Sequence, residues 1–206
     1  MTPGSKIGST HLSAGFRNPS WSPSNQGKIF FFYGSSQIRY TLLSRRDKSR
    51  AGLRFLNRGA DRKGNVSNFA ETEQILTVFT DGGYRIFSHM QIRGSMPFFW
   101  TQTPDCKWSP KVAVKPSVDG NKDAYKLHMK ACLEKYEQVT MVNLIDNKPG
   151  GSQAKLGNKF KDLDQENPSE NIRLIWWDFH AKTKGMKYEN LAQLLDDMSV
   201  EIDSNR

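Results

Sequence analysis

The sequence has few cysteines and no long hydrophobic run, and each absence excludes a class of protein. Its 206 residues contain two cysteines, Cys106 and Cys132, which provide neither a disulfide framework nor a CxxC metal-binding motif. A reducing compartment is therefore expected. The longest apolar run near the start covers residues 29–33, whereas a membrane-spanning helix needs roughly 18 residues. The first residues also lack the charged and apolar parts of a secretory signal, so we expect a cytoplasmic chain without a transmembrane segment.

Metal-binding and nucleotide-binding patterns are absent as well. The four histidines stand at positions 11, 89, 128 and 180, and no two have the spacing of a ligand pair. The stretch NKPGG (147–151) lacks the P-loop spacing and its Lys-Ser/Thr ending, so a flexible turn is favoured there. For His180, spacing alone favours a packed residue at a strand end. The sequence predicts neither a metal site nor a cofactor.

Low hydrophobicity indicates that part of the chain does not pack into a core. Hydrophobic residues make up 36% of the chain, and the mean hydropathy is −0.67. Residues 1–27 are dominated by Gly, Ser, Thr, Pro and Asn, and such a segment cannot bury enough surface to offset the entropy of ordering. We predict a disordered or non-domain segment over 1–27 and a domain over 28–206.

Positive charge is concentrated in residues 28–63. The whole chain has a formal net charge of +9, and this segment alone has ten basic residues against two acidic ones. Such an excess favours an anionic partner, namely nucleic acid, an acidic membrane face or a phosphorylated substrate. A solvated charged surface is the alternative. However, six arginines fall within 45–62, and the planar guanidinium suits phosphate.

The hydrophobic pattern predicts an α/β fold with a mixed sheet flanked by helices. Apolar spacing predicts strands over 74–80, 84–92, 139–145 and 172–179, and helices over 123–136 and 186–202. The turn residues Asp81-Gly82-Gly83 make the first two strands a hairpin. The last two strands are nearly continuous apolar runs, which suit burial on both faces. Strands that alternate with helices are typical of α/β proteins.

Four sequence blocks carry a family resemblance. In chain order they are SRRDKSRAGLRFLNRGADRKGNVSNFAETEQI (44–75), QIRGSMPFFW (91–100), VNLIDNKPG (142–150) and WDFHAKTKGMKYENLAQLL (177–195). Together they resemble the Sac family of phosphoinositide phosphatases, and the first two blocks are the most specific. The stretches TQTPDCKWSP and WDFHAKTKGM are most similar to the endoplasmic-reticulum and Golgi subgroup, which acts on phosphatidylinositol 4-phosphate.

The resemblance implies phosphomonoester hydrolysis through a Cys-x5-Arg loop, in which a thiolate attacks phosphorus. Neither cysteine of this chain fits that pattern, because Val112 stands six residues after Cys106 and Gln138 six residues after Cys132. In the family the loop follows the helix that matches 186–202. We therefore expect an incomplete Sac catalytic domain, truncated before its nucleophile and inactive by itself.

The resemblance also assigns supporting and substrate-binding roles. The arginines would stabilise phosphate or brace the site, Gly94 would allow a tight backbone turn at positive φ, and Pro97 to Trp100 would anchor that turn in the core. Whether Arg93 contacts ligand or braces the catalytic loop stays open. The candidate residues are Arg50, Arg54, Arg58, Asn68, Glu71, Glu73, Arg93, Gly94, Ser95, Asp178 and His180.

The implied function is a phosphoinositide phosphatase region acting on phosphatidylinositol monophosphate at a membrane face. Its partners would be the phosphoinositide head group and an anionic membrane surface, with a peripheral location on the cytosolic side of the endoplasmic reticulum and Golgi. The alternative is a non-catalytic module that binds anionic membranes or phosphoinositides. A nucleic-acid partner is not expected, since the basic segment lacks interleaved stacking aromatics apart from Phe55.

Overall fold

The computed structural model describes residues 25–33, 36–53, 56–102, 110–115 and 118–199. The chain divides into two compact units. Within the described ranges, the first unit takes its residues from 1–49 and 70–93, and the second from 50–69 and 94–206. The predicted α/β class is confirmed, because the two units together contain antiparallel strands, a parallel strand pair and helices.

The first unit is a four-stranded antiparallel sheet in which each strand pairs with the next along the chain. Its strands are β1 (Asn25–Tyr33), β2 (Ser36–Arg46), β3 (Ala70–Thr80) and β4 (Gly83–Arg93), in that spatial order. The predicted hairpin is confirmed, since β3 and β4 close through Asp81 and Gly82 with Thr80 opposite Gly83. Successive side chains point to opposite faces of a sheet. Among the residues of this unit whose burial is described, those that are buried lie on one face: Leu43, Arg45, Glu71, Glu73 and Thr77.

Two features of this sheet differ from the sequence prediction. β1 begins at Asn25, three residues before the predicted start of the domain, and residues 1–24 lie outside the described residues. β2 runs through the basic segment, where no strand was predicted. The branched and aromatic residues that favour a strand there include Arg39 among them and are followed by Arg45 and Arg46, so the charge of the segment obscured its strand character.

The second unit contains two small sheets and the helices. Its elements are β5 (Trp100–Gln102), β6 (Val112–Val114), α1 (Val118–Tyr136), β7 (Val139–Asn143), α2 (Ser152–Gln165), β8 (Ile172–Trp176), α3 (Phe179–Lys182), a 3-10 turn (Tyr188–Asn190) and α4 (Leu191–Asp197). β5 pairs with β6 antiparallel, and β7 pairs with β8 parallel. A parallel pair requires a crossover connection, and α2 provides it.

The core of the second unit forms between α1, α2 and the segment around Phe98. Its buried members are Phe98, Trp100, Tyr125, Met129, Leu156, Phe160 and Leu163. The hydroxyl of Tyr125 donates a 2.7 Å hydrogen bond to Asp164, and burial together with this bond raises the pKa of the phenol. Gly157 lies under the ring of Trp176, where a Cβ would come within 2.3 Å of the indole. The predicted core role of Pro97 to Trp100 is confirmed by their burial.

The later predicted elements are shorter than the sequence indicated. Over 186–199 the predicted helix is a 3-10 turn followed by α4, and most of the apolar residues there are exposed, so they contribute little packing to a longer helix. Residues 200–202 of this prediction lie outside the described residues. β7 and β8 are mostly half-buried, so the prediction of strands buried on both faces was wrong. The turn at 147–151 is confirmed, since the N–H of Gly151 donates to the carbonyl of Lys148 over 3.0 Å.

Candidate functional site

Arg50 organises the first family block of the second unit. Its Nε donates to Ser67 Oγ over 3.2 Å, and its Nη2 donates to Asn57 Oδ1 over 2.9 Å and to the carbonyl of Arg58 over 3.0 Å. Asn57 returns a 2.9 Å hydrogen bond from Nδ2 to the carbonyl of Arg50. The guanidinium thus donates to three protein acceptors through Nε and Nη2. Of the two predicted roles for Arg50, the geometry supports bracing.

A second set of hydrogen bonds joins the two most specific sequence blocks. The N–H of Gly59 donates to Ser95 Oγ over 2.8 Å, and the N–H of Ser95 donates to the carbonyl of Ser67 over 3.1 Å. Ser67 in turn donates its N–H to the carbonyl of Gly59 over 2.9 Å. Residues 50–69 and 94–100 are therefore one hydrogen-bonded structure, which we call the Arg50 network.

Gly59 is a backbone requirement of this network. Its φ is +69°, in the left-handed region. A Cβ there would also lie 2.5 Å from the carbonyl oxygen of Phe98 and 2.9 Å from the nitrogen of Trp100. Only glycine meets both the conformation and the space.

Gly94 has a different role from the predicted one. Its φ is not in the left-handed region, so the expectation of a positive φ was wrong. A Cβ on Gly94 would instead meet Val66 Cγ2 at 2.7 Å and Phe69 Cδ2 at 3.0 Å. A glycine is therefore needed at position 94 because the side chains of Val66 and Phe69 pack closely against the backbone there.

Arg58 lies against the aromatic anchor of the network. Its Nη2 donates to Gln102 Oε1 over 2.7 Å, and its guanidinium carbon lies 5.2 Å from the centre of the Trp100 ring. The contact is of the cation–π type. Arg54 lies outside the described residues, and its assigned role stays a prediction.

Asn68 follows Ser67 in an unusual conformation. Its φ is +55°, and its N–H donates to the carbonyl of Arg50 over 3.3 Å. The side-chain Oδ1 is buried without a hydrogen-bond partner among the described residues. Non-glycine residues at positive φ and orphaned buried acceptors both cost free energy, so Asn68 is the strained position of the network.

Glu71 and Glu73 form a buried ion cluster in the first unit. Arg45 Nη1 lies 3.0 Å from Glu71 Oε1, and Arg45 Nη2 lies 3.1 Å from Glu73 Oε2. Ser88 Oγ donates to the remaining oxygen of Glu73 over 3.0 Å. Both carboxylates interact with side chains of the same sheet, so the geometry supports a structural role for them. Arg93 is exposed at the end of β4 in the same unit.

Asp178 and His180 lie at the carboxyl ends of the parallel strands β7 and β8. Asp178 caps α3 by accepting the N–H of Ala181 over 2.9 Å, and it accepts the N–H of Asn147 over 2.7 Å. Burial alone would raise the pKa of Asp178, but these backbone donors lower it below the usual value. The exposed His180 places Nδ1 2.6 Å from Asp146 Oδ1. Among the described contacts, none joins this group to the Arg50 network.

Nucleophile chemistry has little support among the described residues. Cys132 is buried on α1, and burial raises the pKa of its thiol to about 11. A thiol with such a pKa holds little thiolate at neutral pH. Cys106 lies outside the described residues. The described part of the chain also contains no cluster of three His, Cys, Asp or Glu side chains placed to bind a metal ion.

Comparison with known proteins identifies the family. The model of the SacI homology domain matches residues 19–184. The chain belongs to this family. It is 34% identical over 164 residues to the Drosophila melanogaster protein named phosphatidylinositol-3-phosphatase SAC1, covering 80% of this chain and 26% of that protein. It is 35% identical over 186 residues to phosphoinositide phosphatase SAC6 of Arabidopsis thaliana, covering 89% of this chain and 30% of that protein.

Similarity to the SacI family does not select a phosphoinositide isomer. The Schizosaccharomyces pombe protein named inositol-1,4,5-trisphosphate 5-phosphatase 1 is 34% identical over 161 residues, covering 78% of this chain and 14% of that protein. Relatives whose names state different phosphate positions thus match at equal identity. The chain spans between 14% and 30% of the length of these three relatives. In the described part of the chain, no helix is both long and apolar enough to span a bilayer.

Sequence reasoning found some residues of the Arg50 network and missed others. Arg50 and Ser95 were named from the resemblance, whereas Asn57, Gly59 and Ser67 were not. The missed residues lie within the same specific blocks, NRG and NVSNF. Their side chains or backbone bond to partners up to 36 residues away, and no local periodicity indicates such a contact.

Proposed function

We propose that this chain is the supporting part of a Sac phosphoinositide phosphatase catalytic region and acts on a phosphatidylinositol monophosphate, with the 4-phosphate as substrate. The observation that carries the proposal is the Arg50 network. The two blocks that carry the family resemblance are held together by hydrogen bonds in one unit. Residues of two blocks that are distant in the sequence therefore belong to one hydrogen-bonded structure.

In this proposal the network supports the reaction through position and charge. Preorganised donors and cations stabilise the charge that develops on phosphoryl oxygens. Arg50 and Arg58 already bond to protein acceptors, so they hold the backbone of the site. Exposed cations such as Lys48 and Lys63 supply the long-range attraction for an anionic head group.

The 206-residue polypeptide is proposed to release no phosphate by itself. The family chemistry requires a thiolate with an arginine six residues later, and neither cysteine has one. Cys132 is further excluded by burial, which raises the pKa of its thiol to about 11. Purified protein should therefore give background phosphate release from short-chain phosphatidylinositol 4-phosphate. Turnover that Cys106→Ser or Cys132→Ser abolishes would show that the chain has its own nucleophile.

A chimera tests the supporting role directly. The matched 164 residues of the Drosophila melanogaster relative would be replaced by the corresponding residues of this chain. We expect phosphate release, and we expect the 4-phosphate of phosphatidylinositol to be removed faster than the 3- or 5-phosphate. The same chimera with Arg50→Ala should lose activity, while Arg62→Ala should retain it. A folded chimera that releases no phosphate from any isomer would refute the proposed function.

The alternative is a non-catalytic module that binds anionic lipid. The exposed cations of the basic segment favour it, because each near-surface Lys or Arg contributes about 1 kcal/mol to attraction by an acidic leaflet. An inactive chimera combined with tight binding of the isolated chain to phosphoinositide vesicles would favour this alternative over the catalytic one.

A further inference from the structure

One face of the β1–β4 sheet, which we call the open face, holds none of the buried residues described in the first unit, since those lie on the opposite face. The opposite face also has exposed apolar residues, namely Phe30, Tyr84 and Ile86. The open face presents an apolar row across all four strands, formed by the paired residues Ile29, Tyr40, Leu76 and Phe87. The exposed fraction of Ile29 is 62%, that of Phe87 is 55%, and that of the adjacent Leu42 is 37%. Tyr40 and Leu76, which lie between Ile29 and Phe87, are half-buried. Exposed apolar residues that share one face of a sheet mark interaction surfaces.

The same face carries positive charge without any negative charge. Arg85 and Arg93 occupy its positions in β4, and both are exposed. No strand position on this face is Asp or Glu in the described ranges. The acids Asp47 and Asp81 follow β2 and β3 in the chain and lie in the connections beyond the strand ends.

The charges flank the apolar row along the length of β4. Arg85 lies on one side of Phe87, and Arg93 lies beyond it towards the other end of the strand. Since a strand rises about 3.4 Å per residue, the two arginines are about 27 Å apart along β4. An apolar centre between peripheral cations is the pattern of surfaces that lie in the interfacial plane of a bilayer.

We propose that this face docks on an anionic lipid bilayer, with Phe87 and Ile29 entering the head-group boundary and the arginines contacting lipid phosphates. The charge pattern selects this occupant. A second copy of the chain, docked face to face, would oppose arginines to arginines with no carboxylate to pair them. The phosphate backbone of a nucleic acid would pair with the arginines but leave Ile29 and Leu42 without apolar contacts.

This docking goes beyond the proposed function, because it needs only an acidic leaflet and no phosphoinositide. Its test therefore uses vesicles of phosphatidylcholine, with or without phosphatidylserine. The full chain should co-sediment with the anionic vesicles at low salt and much less at high salt, and it should bind weakly to neutral vesicles. Neither Arg85 nor Phe87 has a part in the Arg50 network, so failure of this test leaves the catalytic proposal untouched.

Two matched variants make the test specific to this face. Arg85→Ala should weaken binding about fivefold, and Phe87→Ser should weaken it about tenfold because part of the ring leaves the boundary. The comparison variants are Lys161→Ala, an exposed cation on α2 of the other unit and outside the basic segment, and Tyr84→Ser. Tyr84 is an exposed aromatic of the same strand on the opposite face, with an exposed fraction of 66%. The comparison variants should bind like the parent chain, and circular dichroism should show all four variants folded.

Several outcomes would overturn the proposal. Equal binding to neutral and anionic vesicles would remove the role of charge. An equal loss of vesicle binding in Phe87→Ser and in Tyr84→Ser would show that binding does not depend on this face of the sheet. A concentration-dependent dimer that Phe87→Ser dissociates, with vesicle binding unchanged, would assign the face to a second copy. Binding to duplex DNA that depends on Arg85 and Phe87, with vesicle binding independent of them, would assign it to nucleic acid.

Discussion

The backbone N–H of Gly59 donates a 2.8 Å hydrogen bond to the hydroxyl oxygen of Ser95, across 36 residues of sequence. The bond is one of a closed set, since Ser95 donates its own N–H to Ser67 and Ser67 donates to Gly59. Two family blocks that look independent in the sequence are therefore coupled. A substitution in either block should therefore disturb the hydrogen bonds of both blocks.

Gly59→Ala should destabilise the chain strongly, because alanine adds both positive-φ strain and a clash. The strain alone costs about 1–2 kcal/mol. Gly150→Ala is the matched control, since Gly150 has φ +75° but no atom within 4 Å of the added Cβ. Urea denaturation should give a loss of about 1–2 kcal/mol for the control and at least about 3 kcal/mol for Gly59→Ala. Equal losses would mean that the surrounding backbone relaxes around the methyl group.

Arg50→Ala should lower the free energy of unfolding by about 2–4 kcal/mol, because Asn57, Ser67 and the carbonyl of Arg58 lose a charged donor. Arg50→Lys should restore only a part, since an ammonium cannot donate in the fork geometry of a guanidinium. The control is Arg62→Ala at an exposed position, which should change stability by less than about 0.5 kcal/mol. A full rescue by lysine would argue that charge alone, and not the fork, holds the network.

Arg45→Met should cost about 3–5 kcal/mol, because it leaves Glu71 and Glu73 buried without their cation. Replacing all three residues by methionine removes the buried charges together, so the triple variant should be more stable than Arg45→Met. Thermal denaturation of the two variants checks this order. The reverse order would show that the carboxylates are stabilised by other donors of the sheet.

His128 should make stability depend on pH. Its Nδ1 lies 3.1 Å from the carbonyl of Gly64, its Nε2 lies 3.7 Å from Cys132 Sγ, and burial lowers its pKa to about 4. The unfolded histidine takes a proton near its ordinary pKa of about 6.5. Between these two values the unfolded state holds more protons, so its relative free energy falls as the pH decreases. The free energy of unfolding should drop by up to about 3 kcal/mol from pH 6.5 to pH 4.

The measurement is urea denaturation between pH 4 and pH 7.5 for the parent chain and for His128→Gln. The substitution should remove the part of the pH dependence that lies between pH 4 and 6.5. His89→Gln, at an exposed position, should leave that dependence unchanged. An identical pH profile in the parent and in His128→Gln would place the titration elsewhere.

Local patterns predicted much of this fold, and contacts distant in sequence account for what they missed. The β3–β4 hairpin and α1 were predicted because turn residues and apolar spacing are local signals. β2 was missed because Arg45 is buried through an ion pair with Glu71 on another strand, which no local pattern indicates. Over 186–199 the predicted helix is interrupted for the opposite reason, since most of its apolar residues are exposed and pack against little of the described structure.

For the candidate site, the only residues predicted were those that the family resemblance assigned. The family blocks named Arg50 and Ser95, but their partners depend on loop geometry. Gly94 was expected to be required by a positive φ angle, whereas glycine is required there because Val66 packs closely against its backbone. Residue type alone does not distinguish these two reasons for a glycine.

The ion cluster of Arg45, Glu71 and Glu73 also fixes which way the strands align. Arg45 lies directly opposite Glu71 in the β2–β3 pairing. A slip of one residue would turn every side chain of β3 to the other face. Both carboxylates would then face solvent, and the guanidinium would stay buried without a counterion. Misaligned sheets are thus penalised by an unpaired buried charge, and the cluster makes the native alignment unique even where it adds little to its stability.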